Sequence, residues 1–250
     1  MNTDTLRDLI RGFDLQSDLW WLATLLSGLM ATVLAAIGFP DHGVFWAYAT
    51  VMARLAIVLC LAQHPWGAIF GRLLALGLVT GLFEIFADYL MVNWPREASG
   101  QRGYSSGSAL LLASPAYVPL GWACAMVDFG YPILRLYGAV SKRLTGDAGL
   151  GLAMMAGGFI GALVTACTEF LALKAGWWKY QGGILLGAEG CPFYVVMGVF
   201  FSWFAFLPLF SRFVSCAGTR VYAAIRFGAI YGGIIFLSFA LAHFLVERRS

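Results

Sequence analysis

The chain has 250 residues, of which 60% are hydrophobic and only 12% charged, with a formal net charge of +3. A soluble domain of this length must show water a polar surface, so the composition excludes one, and the small, scattered charge argues against nucleic acid as a partner. Apolar windows of about 20 residues recur throughout and predict an all-α, polytopic protein integral to the membrane, a single domain over 1–250.

The first 17 residues read as a tail or a surface helix. Asp4, Asp8, Asp14 and Asp18 precede the first apolar run, which rules out a cleavable signal peptide. Leu6, Leu9, Ile10 and Phe13 share one helical face, which suits a short helix lying on the membrane; a frayed polar tail is the alternative. Seven spans follow, at 19–39, 44–63, 68–93, 109–138, 149–176, 192–210 and 221–246, joined by short polar loops. The fourth region is too long for one upright helix and holds Pro115, Pro119 and Pro132. Its helix is expected to begin near Pro115, with 105–114 re-entrant or interfacial.

An odd number of spans puts the termini on opposite sides. Arg7, Arg11, Arg72, Arg135, Lys142, Arg143, Arg212, Arg220 and Arg226 fall on the N-terminal side, against Arg96, Arg102, Lys174, Lys179, Arg248 and Arg249 on the other. The positive-inside rule then places the N-terminus in the cytoplasm, in the inner membrane of a bacterial cell. Five cysteines without a CxxC pair, three of them (Cys60, Cys124 and Cys167) within spans, read as inert thiols.

A stretch in the third span, Leu78-Val79-Thr80 followed by Glu84, returns in the fifth as Leu163-Val164-Thr165 followed by Glu169. Small residues flank both copies, Gly77 and Gly81 in one, Ala162 and Ala166 in the other. Downstream come Trp94 and Tyr104 in the first copy, and Trp177, Trp178 and Tyr180 in the second. Each copy enters its next span with P-x-Y-V-x-x-G, at Pro115, Tyr117, Val118 and Gly121 and at Pro192, Tyr194, Val195 and Gly198. This ordered series predicts an internal repeat, 68–138 and 149–210, with both copies running the same way and a shared site of glutamates at similar depth.

Glu84 and Asp88 are four apart and share a helical face with Gly77, Thr80 and Gly81, along which a neighbouring helix can approach. A carboxylate there must be partnered, wetted or protonated. Arg54 is the one cation deep within a span and, counted from the same face, lies at the depth of Glu84, about 15 Å in. It is read either as a salt bridge joining the second and third helices or as a clamp that keeps one acid ionised. Glu169 has Lys174 as its nearest basic neighbour and either snorkels or serves the site; Asp128 is a second supporting candidate. The surplus of aromatics is explained by interfacial belts or by a pocket whose faces stabilise a cation.

His42, His64 and His243 are too scattered to form a cluster, so a di-iron desaturase or hydroxylase is excluded. No phosphate loop, dinucleotide fingerprint or nucleophile elbow occurs. Neither a metal nor a cofactor is expected.

An acid-bearing helix, then Trp and Tyr, then a loop leading to Pro-x-Tyr-Val, resembles the membrane carotenoid hydratases of the bisanhydrobacterioruberin or lycopene 1,2-hydratase type. The likeness covers roughly Leu78 to Phe210 and rests on Glu84, Trp94, Tyr104, Pro115 and Tyr117, then Glu169, Trp178, Tyr180, Pro192 and Tyr194. The insertion from Ala87 to Tyr104 departs from that pattern. More coarsely the chain resembles small integral-membrane terpene cyclases.

What the residues and the resemblance together imply is a membrane enzyme that performs cofactor-independent acid–base chemistry (hydration, cyclisation or isomerisation) on an isoprenoid or related lipid. Glu84 or Asp88 would protonate a double bond, and Glu169 would activate water or remove a proton. Trp94, Tyr104, Tyr117, Trp178, Tyr180 and Tyr194 would line the substrate site. The rival expectations are a proton-coupled transporter and a non-catalytic membrane subunit.

Overall fold

The computed structural model describes residues 6, 10, 14–38, 42–64, 67–93, 99–104, 110–144, 146–187 and 190–247. Its helices are α1 (Leu15–Gly38), α2 (Gly43–Ala62), α3 (Ala68–Asn93), α4 (Tyr117–Val140), α5 (Gly146–Lys174), α6 (Phe193–Phe204), α7 (Phe206–Val214) and α8 (Arg220–Glu247). Among the described residues, six helical segments are long and apolar enough to cross a membrane, with α6 and α7 forming one of them. The remaining one, α4, has 24 residues and spans about 36 Å. The protein is therefore an all-α polytopic membrane protein.

Local chemistry sets the helix ends. Asp14 caps α1 by accepting a hydrogen bond from the Ser17 backbone N–H at 2.8 Å, and the Ser17 hydroxyl accepts one from the Asp14 N–H at 3.3 Å. The break at Ala205 follows from Pro208, which has no N–H to offer the Phe204 carbonyl one turn earlier. Pro119 sits in the first turn of α4, where a missing N–H costs nothing.

α4 begins at Tyr117, close to the Pro115 at which its helix is expected to start. The apolar run Leu110–Leu111 pairs instead with Ser114–Pro115 in a minute hairpin, β2 and β3. Two of the expected loops carry strands. β1 (Ser99–Tyr104), after α3, pairs antiparallel with β4 (Trp178–Gly182), after α5, so one ribbon ties the two loops across the same end of the bundle.

Helix α4 carries Asp128, Arg135 and Pro132 because neighbours shield it. It packs on α3, α2 and α5, and its buried face includes Ala123, Met126, Tyr131 and Leu134. The α3–α4 contact is close enough that a Cβ on Gly81 would stand 2.1 Å from the Pro119 carbonyl oxygen, so the small-residue face read from the sequence meets α4. On its other side α3 packs on α8, with Gly228 against Val79 and Gly232 against Phe83. That pairing fixes a parallel register. Leu6 and Ile10 are helical and buried in the main core, with Ile10 against Gly138; Leu9 and Phe13 lie outside the described residues.

Candidate functional site

Three acids converge beneath the β1–β4 ribbon. Asp88 and Glu169 each lie five residues before the last residue of their helices, and the ribbon drops Arg102 between them. Arg102 Nη1 donates to Asp88 Oδ1 at 3.2 Å, and Nη2 donates to Glu169 Oε1 at 3.2 Å. The guanidinium also donates to the Tyr180 hydroxyl, from Nε at 2.9 Å and from Nη2. Its Cζ lies 5.0 Å from the Trp178 ring centroid and 5.2 Å from that of Tyr180.

Each carboxylate is then completed by neutral donors. Asp88 accepts from the Tyr104 hydroxyl at 2.6 Å and from the Ser114 hydroxyl. Glu169 Oε2 accepts from the Trp178 indole at 2.7 Å and from the Tyr180 hydroxyl at 2.9 Å. The strand register explains the pairing of donors, since Tyr104 stands opposite Trp178 and Arg102 opposite Tyr180. All three charged groups are at most 7% exposed, so the full set of bonds is what makes their burial tolerable.

The electrostatics follow from that burial. Loss of water alone would lower the Arg102 pKa, but Tyr180, Tyr104, Glu169 and Asp88 together hold it well above its ordinary value. Burial pushes the Tyr104 phenol well above its usual range, with Arg102 opposing and Asp88 adding to the rise. The Tyr180 phenol is raised in the same way, with Glu169 in the place of Asp88. Both phenols are proton donors across the physiological range.

Glu84 differs from its neighbours. It lies one helical turn before Asp88 on α3 and is 1% exposed, yet its Oε2 has no hydrogen-bond partner among the described residues. The Trp122 side chain of α4 stands beside its carboxyl. Trp122 belongs to a small aromatic cluster around Ala47, Tyr117 and Val118 that also takes in Tyr48, Tyr104, Trp177 and Trp178. Tyr48 and Tyr117 meet edge to face at 5.2 Å, and the Tyr117 hydroxyl donates to the Trp177 carbonyl at 3.0 Å. The Tyr48 hydroxyl and the Trp177 indole N–H are, like Glu84 Oε2, buried without partners among the described residues.

The structure brings Glu84, Asp88, Glu169, Tyr104, Tyr117, Trp178 and Tyr180 to one end of the bundle. Tyr194 joins them through its hydroxyl, which donates to the Gly100 carbonyl at 3.0 Å. Trp94 lies outside the described residues. Three expectations are corrected. Glu169 has a basic partner, Arg102 rather than Lys174. Across that arginine it faces Asp88, one turn beyond the Glu84 that the repeated Leu-Val-Thr selects.

Arg54 clamps neither Glu84 nor Asp88 and does not tie α2 to α3. It pairs with Asp128 of α4, and the Trp21 indole donates to the Asp128 backbone carbonyl at 3.1 Å. Depth along the helix axis agreed for Arg54 and Glu84, but the side chains point to different neighbours. Arg102, Ser114 and Trp122 were missed. The one available signal for Arg102 was its place, with Arg96, in the polar loop that follows an acid-bearing helix.

Chemically, Arg102, Asp88 and Glu169 form a closed network with one anion more than cations, and Glu84 is an additional acid with a free oxygen beside aromatic faces. No group of three or more His, Cys, Asp or Glu side chains suited to a metal ion occurs among the described residues. No curated protein and no solved structure matches the chain. Residues 85–246, from the end of α3 through nearly all of α8 and including every member of the Arg102 network, match the family described as Domain of unknown function (DUF6989), and the chain belongs to that family.

Proposed function

We propose that the protein is an integral membrane enzyme that performs acid–base chemistry on an isoprenoid or related lipid without a redox cofactor. The observation that carries this reading is Glu84, a buried carboxyl whose Oε2 is unbonded beside the aromatic cluster. Asp88 and Glu169 are engaged at both oxygens, which leaves Glu84 as the acid free to meet a substrate. In this reading the protonated Glu84 delivers its proton to a carbon–carbon double bond, and nearby indole and phenol faces stabilise the resulting cation. Addition of water, or loss of a neighbouring proton, discharges it. Asp88 and Glu169 hold Arg102 and the ribbon in place, and Glu169 is the candidate proton acceptor.

The isoprenoid substrate rests on the resemblance to the carotenoid hydratases. With the N-terminus in the cytoplasm of a bacterial cell, the ribbon end faces the outer leaflet of the inner membrane. The test compares lipid and pigment profiles of a host carrying the wild type, Glu84→Gln or an empty vector. The expected result is a new product with the wild type alone, at equal levels of folded protein. A product retained by Glu84→Gln overturns the assignment.

A second reading, a proton-coupled carrier, is favoured by the break between α6 and α7 at Ala205, because interrupted spans are a device of transporters. Substrate uptake into liposomes that depends on a proton gradient would select it.

A further inference from the structure

The end of the bundle opposite the ribbon gathers several cations, and among the described residues Arg72 and Arg220 have no acid paired with them. The contacts Gly228–Val79 and Gly232–Phe83 set α3 and α8 side by side in parallel. The same offset carried back two turns places Arg220 and Val221 at the level of Arg72. Two arginines on adjoining helices are thus held at one height by the packing, and each guanidinium lies within the other's electrostatic reach.

No ion pair among the described residues includes either of them. None of the described acids at this end is ion-paired with Arg72 or Arg220. Asp14 bonds Ser17, Asp18 bonds Arg135 and Tyr131, and Asp147 sits in the exposed first turn of α5. Arg212, in the last turn of α7, adds a further cation on the helix that packs on α8. The Thr219 hydroxyl accepts from the Tyr222 N–H at 3.2 Å and starts a helix of 28 residues, whose positive end points to the same level. Like charges fixed side by side at the edge of a low-dielectric slab repel, and a bound anion removes that repulsion.

We propose that Arg72 and Arg220 form a site for the phosphate group of an anionic phospholipid. The bidentate geometry of guanidinium toward phosphate oxygens and the position of both residues at the membrane edge fit that ligand. The site is independent of the chemistry at Glu84.

The full chain, purified in a neutral detergent, would be examined by native mass spectrometry with phosphatidylglycerol or phosphatidylcholine added. The wild type is expected to retain phosphatidylglycerol in preference to phosphatidylcholine. The Arg72→Gln/Arg220→Gln variant should bind it about thirtyfold more weakly, while Lys142→Gln, a charge loss at the same end, should change it little. Displacement by inorganic phosphate alone would support the site and identify its source as a free anion; resistance to phosphate would identify a lipid. Equal retention of the two lipids by the wild type, or unchanged retention by the folded double variant, overturns the proposal. Should the double variant not fold, the salt dependence of the wild type decides. Retention that falls about tenfold from low to high salt supports the site, and retention indifferent to salt contradicts it.

Discussion

Two guanidiniums pair with acids inside this bundle, and they are held in opposite ways. Arg102 reaches in from a strand, bonds acids on two helices, and leaves no oxygen of either carboxylate without a donor. Arg54 lies within α2 and makes one contact with Asp128, leaving its own Nε and the Asp128 Oδ1 buried without partners among the described residues. The first arrangement joins two helices and a ribbon that are distant in sequence. The second joins two helices that already pack together, and its charges are incompletely satisfied. A completed network makes Arg102 the keystone of the ribbon end, whereas the Arg54 pair is replaceable by apolar side chains.

The comparison can be broken most directly at Arg102. Arg102→Leu leaves Asp88 and Glu169 facing each other without a cation and should cost about 4 kcal/mol, read as a lower midpoint in a denaturant titration in mixed micelles. Arg54→Leu should cost about 3 kcal/mol, and adding Asp128→Leu should recover most of that loss. Substituting Asp88 and Glu169 as well should not rescue Arg102→Leu, because the ribbon then has no charged anchor. Equal rescue at both sites would show that the two arginines are held alike.

Alkaline titration sharpens the contrast, because phenols belong to the Arg102 network. Tyr104 and Tyr180 have pKa values raised above the ordinary value near 10, so the folded state keeps their protons where the unfolded state loses them. Stability is therefore intact below about pH 10 and falls above it, by up to about 1.4 kcal/mol per pH unit for each phenol. Tyr104→Phe/Tyr180→Phe should flatten this alkaline slope while lowering stability near neutral pH. A slope unchanged by the double substitution would place the titrating groups elsewhere.

Apolar run length located the helices, because a membrane-spanning helix must be about 20 residues long and apolar wherever it meets lipid. The same signal ran past the start of α4, since Leu110 and Leu111 are apolar but pair in a strand, and it was Pro115 that marked where the helix begins. The β1–β4 ribbon was not legible. Its segments, SGQRGY and WKYQG, lack an alternating pattern, and their pairing joins loops far apart in sequence. Asp88, Glu169, Tyr104, Trp178 and Tyr180 were legible because carboxylates inside apolar runs demand partners. Arg102 was hidden because it reads as an ordinary loop cation until the ribbon places it. Counting depth put Arg54 level with Glu84 but carried no information about which way round the helix each side chain faces.

The proposed role of Glu84 is to give its proton to the substrate, a role that the acids bound to Arg102 do not share. It is tested by turnover in D2O, with products analysed by mass spectrometry in membranes that carry the wild type or Glu84→Gln. The wild type should give one deuterium on carbon per product molecule and Glu84→Gln no labelled product, with the folded fraction equal in both. Labelled product at the wild-type rate from Glu84→Gln would contradict it.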